Sequence, residues 1–252
     1  MARRQGNLRT PGAGWRWLVL RGCLLFLANA SYYLALAALP LATTVALYFA
    51  APLMMVALAA LLLGPARWLA VGCGFAGVLI VVRPGSSLFD WASLLPVFAG
   101  LNYALSMVLS RRLGMQHSAA VQAFHGNLVL LLGALLLSVV FGGGGHPSLA
   151  FLIRGWVMPA PGDFLLMITC GAIAAGATTL LTQAYRIASP AAVAPFEYSG
   201  MIWGVVWGWL FWSDWPDAVA WTGITSICGT GLFVVWHEAG ERRVAARSVR
   251  AA

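Results

Sequence analysis

Eight apolar stretches of about twenty residues, closed by short turns except for a long glycine-rich linker, Gly142–Gly162, leave this chain little choice of fold. They run roughly over Trp17–Ala38, Leu41–Leu63, Ala66–Val82, Trp91–Leu109, Ala119–Phe141, Phe164–Tyr185, Ala191–Trp212 and Ala218–Trp236. An α-helix rises about 1.5 Å per residue, so ~20 residues cross a hydrocarbon layer of about 30 Å. The stretches are too long for barrel strands and do not alternate, which leaves helices as the spanning element. Hydrophobic residues make up 61% of the chain and charged residues 9%, against about 25% charged in soluble domains. The expected fold class is an all-α integral membrane protein of eight transmembrane helices.

Charge placement sets the expected orientation. All 15 basic residues are Arg. With the N-terminus inside, only Arg83 and Arg154 fall on outer segments, and the rest, Arg21 among them, fall on inner segments or the two tails. Cytoplasmic loops carry such an excess. Both termini are therefore expected in the cytoplasm, with the chain multi-pass in the cytoplasmic (inner) membrane and in contact with its lipid. The formal charge of +8 is spread over turns and tails. No element carries a basic face interleaved with base-stacking aromatics, so a nucleic-acid partner is not expected. The first apolar run is too long for a signal-peptide core. The 4 cysteines sit inside apolar runs without CxxC or metal-ligand spacing and read as small buried hydrophobes. Neither a metal nor a cofactor is expected. Tryptophans near the span ends, such as Trp17, Trp212 and Trp236, form an interfacial belt.

The chain also matches itself. At one offset Leu39-Pro40-Leu41-Ala42-Thr43-Thr44-Val45 falls on Ala188-Ser189-Pro190-Ala191-Ala192-Val193-Ala194. A little further on, Gly77-Val78-Leu79-Ile80-Val81-Val82 falls on Gly229-Thr230-Gly231-Leu232-Phe233-Val234. The span opening at Leu41 runs outside to inside and the one opening at Ala191 runs inside to outside. Repeats of opposite sense are the mark of secondary transporters, with the site near the midplane between them.

Several strings bear a family likeness. In the first half they are Tyr33-Leu34-Ala35-Leu36, Leu39-Pro40-Leu41-Ala42, Pro52-Leu53 within a span, and Gly77-Val78-Leu79-Ile80-Val81-Val82-Arg83-Pro84-Gly85. In the second they are Gln183-Ala184-Tyr185-Arg186-Ile187-Ala188, Ala194-Pro195-Phe196-Glu197-Tyr198 and Trp207-Gly208-Trp209-Leu210-Phe211. Together they resemble the EamA-type permeases of the drug/metabolite transporter superfamily over nearly the whole chain. The resemblance implies ten helices as two five-helix inverted repeats. Here the pattern is incomplete, because Trp17–Ala38 is similar to the family's third helix. Residues 1–85 then form a three-helix remnant of the first repeat, 86–236 the second repeat and 237–252 a basic cytoplasmic tail. The family often has Gly-Glu at the end of its fourth helix, where this chain has Gly64-Pro65. The family's cavity is lined partly by its first two helices. A late start codon, a truncation, or a homodimer that completes the cavity would each account for their absence.

The polar residues inside the spans are the candidate site. Glu197 is the one acid in mid-span, and intramembrane carboxylates are costly and functional by default. It can bind a cationic or amino group, carry a coupling proton, or simply be held by neighbouring hydroxyls or by Arg186. Tyr198 adjoins it. Gln183 clusters with Tyr185 and Arg186 at the inner end of the sixth span, where Arg186 reads as a snorkelling charge. Asn102 and Tyr103 fall mid-span in the fourth, Asn29 and Tyr32 in the first, and His125 in the fifth. Each of these serves equally well as helix glue. His117, His146 and His237 sit at boundaries or in a loop and read as solvated. Gly72-Cys73-Gly74-Phe75-Ala76-Gly77 matches a dinucleotide-binding string but lies inside an apolar helix. It reads as a close-packing face. There is no HExxH, no intramembrane aspartate pair and no nucleophile elbow, so no enzyme is expected. The leading expectation is a secondary-active permease that moves a small polar or amphipathic metabolite by alternating access. The alternative is a truncated, non-transporting or partner-dependent homologue.

Overall fold

The computed structural model describes residues 14–59, 65–83, 90–114, 117–142, 157–188, 190–230, 232–233 and 236. Most of the glycine-rich linker, Arg154, His146, His237 and the basic tail lie outside them. Every regular element is helical among the described residues. They are α1 (Trp15–Ala38), α2 (Leu41–Tyr48), α3 (Ala51–Ala59), α4 (Pro65–Val82), α5 (Leu94–Leu113), α6 (Ala119–Phe141), α7 (Pro161–Ile187) and α8 (Pro190–Trp212). A further helix, α9, covers 218–230. A short 3-10 turn, Trp91–Ser93, precedes α5.

The helix ends follow from local sequence. Pro161 and Pro190 open α7 and α8, where a missing N–H costs nothing. Ser118 caps α6 by accepting from the Val121 N–H at 3.3 Å. Asp217 caps α9 by accepting from the Ala220 N–H at 2.7 Å. Arg111 and Arg112 close α5, on the negative side of its dipole. By length and composition, Trp15–Ala38, Trp91–Leu113, Ala119–Phe141 and Pro161–Ile187 are each able to cross a membrane.

The second expected span is not one helix. α2 ends at Tyr48 and α3 begins at Ala51. Pro52, with no N–H to give the Tyr48 carbonyl and a ring that crowds it, explains the interruption. The intervening turn is tightened, with the Ala50 N–H donating to Leu47 O at 3.2 Å.

The helices fall into two packing units. One holds residues 1–27 and 106–187, the other 28–105 and 188–252, so α1 and α5 each contribute to both. Packing units and sequence repeats are different divisions, and the first does not test the second.

In the first unit Leu18, Leu113 and Val121 make a small core flanked by Leu109, and α6 lies along α7. Much of the outer surface of both helices is exposed Leu, Val and Ile, as at Leu131, Leu135, Val139 and Leu166. Such a surface suits lipid, which is as apolar as the side chains themselves.

The second unit is packed by small residues. A Cβ on Gly204 of α8 would lie 2.6 Å from Val45 of α2, so Gly204 lets the two helices approach closely. A Cβ on Gly223 of α9 would come within 2.9 Å of the Gly77 carbonyl of α4, and one on Gly77 within 3.1 Å of the Gly223 carbonyl. The dinucleotide-like string is thus a helix contact face.

Candidate functional site

The helix break builds the site. It leaves Tyr48 at the last turn of α2 and Phe49 just beyond it. α5 approaches the break through Gly100, where a Cβ would lie 3.1 Å from the Tyr48 carbonyl oxygen. α8 approaches through Gly200, where a Cβ would lie 2.9 Å from the Phe49 ring. Gly200 is three residues after Glu197, so both face the break.

There Tyr103 of α5 donates its hydroxyl proton to Glu197 Oε1 at 2.7 Å. Tyr103 is buried, whereas Glu197 is half-buried. The Tyr48 ring packs on Tyr103 with centroids 5.6 Å apart and on Tyr32 of α1 at 4.9 Å. Tyr33 meets Tyr32 edge-on at 6.1 Å. The Glu197 charge also acts directly on Tyr48. A carboxylate held by a phenol, beside three further tyrosine rings and a broken helix, can bind a donor group and stack a flat one.

Of the residues the sequence nominated, Glu197, Tyr103 and Tyr32 therefore meet. Asn29 is half-buried on α1, one turn before Tyr32. Asn102 is buried but donates to Phe98 O of its own helix at 2.9 Å, the glue reading turned inward. The Tyr198 side chain lies outside the described residues. Gln183 and His125 belong to the other unit, and each is engaged there. Gln183 Oε1 accepts from Arg186 at 2.5 Å, and Arg186 also donates to Gly114 O at 3.2 Å. His125 Nδ1 donates to Val121 O at 2.9 Å. His117, expected to be solvated, is partly exposed. Its Nε2 is buried without a partner among the described residues, and burial together with His125 holds its pKa below the usual value.

Two residues, one in each unit, were not nominated. Tyr48 sat in a span read as continuous, although Pro52 was the available signal. Arg21 was counted with the topogenic arginines, yet it is the largest fully buried side chain in the chain's described part. It donates to Ser110 Oγ of α5, to Gln122 O of α6 at 3.1 Å and to Thr182 Oγ1 of α7 at 2.9 Å. Gln122 in turn donates to Ser110 O at 3.3 Å. One guanidinium ties four helices of the first unit together.

An all-helical membrane protein with a tyrosine-held carboxylate at a helix break belongs among the transport proteins rather than the enzymes. The comparisons with known proteins agree. The chain is similar to a riboflavin transporter of Rhizobium johnstonii, 32% identical over 234 residues, which cover 91% of this chain and 72% of that protein. It is 23% identical over 224 residues to an S-adenosylmethionine uptake transporter of Rickettsia prowazekii, covering 87% of this chain and 71% of that one. It is 27% identical over 239 residues to a pseudopaline exporter of Pseudomonas aeruginosa, covering 92% and 77%. A solved crystal structure shares the fold, with a TM-score of 0.61 and 20% identity over 93% of this chain and 79% of that one. No family model matches. The chain belongs to the drug/metabolite transporter superfamily, among its EamA-type permeases. It is a multi-pass membrane protein that transports a small metabolite, and it is not an enzyme.

Proposed function

We propose that this chain is a secondary-active permease of the cytoplasmic membrane that works by alternating access, with Glu197 and its tyrosines as the substrate site. The hydrogen bond from Tyr103 to Glu197 beside the α2–α3 break carries this reading. A helix interruption next to a carboxylate at membrane depth is suited to lining a solute path. The eight spans, the inverted repeat and the cytoplasmic placement of both termini belong to the same proposal, supported by span length and the Arg asymmetry.

The substrate class follows from the tyrosines and from the relatives. Riboflavin and S-adenosylmethionine, named for two of those relatives, both combine a flat heteroaromatic ring with a polar chain. Tyr32 and Tyr48 offer ring faces, and Glu197 offers an acceptor for an amino or hydroxyl group. The proposed cargo is an amphipathic metabolite with these two parts.

The test is flux of labelled riboflavin and S-adenosylmethionine in proteoliposomes, with Glu197→Gln compared to the parent chain. Saturable flux lost in the variant, with insertion unchanged, is expected. Equal flux by both proteins refutes the site. A second reading, in which the chain needs a partner or a second copy, gains support from the apolar window of α7, in which no residue is buried. Saturable flux by a proven monomer rejects it.

A further inference from the structure

Away from the tyrosine cluster, the second unit holds a cavity of about 450 Å³. It lies where the α1–α2 turn, the end of α4, the turn before α5 and the α8–α9 loop meet. Its volume falls within the range of small-molecule sites, about 300–1,000 Å³. Val81 and Val82 supply apolar wall, and the charged lining residues are Arg83, Asp214 and Asp217.

These three charges do not cancel. Arg83 pairs with Asp217, and Asp217 is further committed to capping α9 through the Ala220 N–H. Both bonds hold the Asp217 carboxyl below the usual carboxylate range, the Arg83 bond most of all. Asp214 uses its backbone N–H on Gly208 O at 3.1 Å. Its carboxylate makes no hydrogen bond or ion pair among the described residues. The cavity is therefore left with one uncommitted negative charge.

An aromatic surface stands beside it. Trp215 lines the cavity, and its ring is braced by Trp209 at 6.0 Å and Trp221 at 5.7 Å while remaining 61% exposed. A braced indole next to a carboxylate is suited to an organic cation, which gains from the ring face as well as the charge.

The backbone is strained at the same place. Among the described residues, Arg83 (φ 50°) and Ser213 (φ 57°) are the two non-glycine residues with positive φ, and both line this cavity. Each costs about 1–2 kcal/mol relative to ordinary helical backbone. Glycine would remove that cost. Both directly follow a helix, α4 and α8, and donate their N–H back to Leu79 O and Trp209 O, so these left-handed helix ends set the shape of the cavity rim.

We infer that this cavity is a second binding site, distinct from Glu197, for the ammonium or sulfonium group of an organic cation, with Asp214 as charge partner and Trp215 as ring face. The Arg83–Asp217 pair fixes the wall between α4 and α9. The inference needs the transport reading only to say which solute meets the cavity, since binding there does not pass through Glu197.

The test uses the full chain in nanodiscs, titrated calorimetrically with phenethylammonium, and with 3-phenylpropionate as an anion of similar size. The parent protein is expected to bind the cation and not the anion. Asp214→Asn should weaken cation binding at least tenfold. Trp215→Leu should weaken it roughly two- to fivefold, as cation–π estimates for exposed sites imply. Glu197→Gln should leave the binding component that Asp214→Asn weakens unchanged, even if that variant abolishes flux. Four results overturn the inference: no binding by the parent protein at 10 mM, equal binding by Asp214→Asn, equal binding of the anion, or full displacement by sodium at the same concentration. Loss in Glu197→Gln but not in Asp214→Asn would place the probe at the tyrosine cluster and overturn it as well.

Discussion

Replacing Arg21 by lysine separates two opposing costs. In the native protein the guanidinium pays for burial and recovers that cost through bonds to α5, α6 and α7. Interhelical hydrogen bonds in membrane proteins are worth about 0.6–1.7 kcal/mol each, so three hold roughly 2–5 kcal/mol. Lysine keeps the charge and its dehydration. Its compact ammonium lacks the planar fork that reaches three partners at once. Losing two of the three bonds costs roughly 1–3 kcal/mol. Methionine removes the charge as well, and a buried ion replaced by an apolar side chain is often near neutral. The partners left behind can recover, because Ser and Thr hydroxyls turn back to their own helix, as Thr178 already does to Ala174 O at 2.7 Å. Arg21→Lys is therefore expected to be less stable than Arg21→Met. Equilibrium unfolding in mixed detergent micelles, followed by circular dichroism, reads the order. A lysine variant within about 0.5 kcal/mol of the parent, or a methionine variant clearly below it, refutes the reasoning.

Four further outcomes are expected. Tyr103→Phe and Glu197→Gln should each cut flux, and the double variant should lose less than the product of the two, because one removes and the other weakens the same Tyr103–Glu197 bond; strictly multiplicative losses would separate the residues. Pro52→Ala should raise stability by restoring a helical N–H, at most the ~3 kcal/mol that proline costs in a helix interior, while lowering flux; unchanged flux would make the break incidental. Gly223→Leu should destabilise the chain or separate α4 from α9, since even a Cβ there meets the Gly77 carbonyl at 2.9 Å; unfolding midpoints check this. The Arg83–Asp217 contribution has a defined pH window. The folded carboxyl titrates below its ordinary value near 3.9, so the pair's contribution is fully present above about pH 4 and is lost as pH falls through the lowered folded value. Stability of Asp217→Asn relative to the parent should thus be flat from pH 5 to 8. The difference should be small, because the pair is largely solvent-exposed.

How much of this was legible beforehand depended on the kind of signal. Helix positions were readable because length and apolarity are local properties; the expected start at Trp17 falls two residues from the observed Trp15, and four of the helices are long and apolar enough to cross a membrane. Glu197 was readable because a lone mid-span acid is conspicuous. Its pairing with Tyr103, 94 residues away in sequence, was not, since nothing local in either segment names the other. The α2–α3 break was hidden because hydrophobicity does not distinguish one helix from two, and only Pro52 hinted at it. Arg21 misled for a related reason. Counting charges near span ends assumes that each snorkels to water, and a count cannot tell that arginine from one folded inward upon Ser110 and Thr182. His117 misled in part, as a partly exposed boundary position whose Nε2 is nevertheless buried.

Two buried polar clusters in one oily chain need not share a role, and exposure tells them apart. Arg21 is 1% exposed, with bonds spread over three further helices that run unbroken where they meet it. A group so enclosed can admit a solute only if the helices part, so its first effect is to hold them. Glu197 is half-buried, accepts from the Tyr103 hydroxyl and sits beside the interruption between α2 and α3. Little has to move for a solute to reach it. Polar bonds that span several helices suit a brace, whereas a carboxylate at an interruption suits the site proposed for it. This difference assigns the stability experiment to Arg21 and the flux experiment to Glu197, and exchanging their outcomes would reverse both assignments.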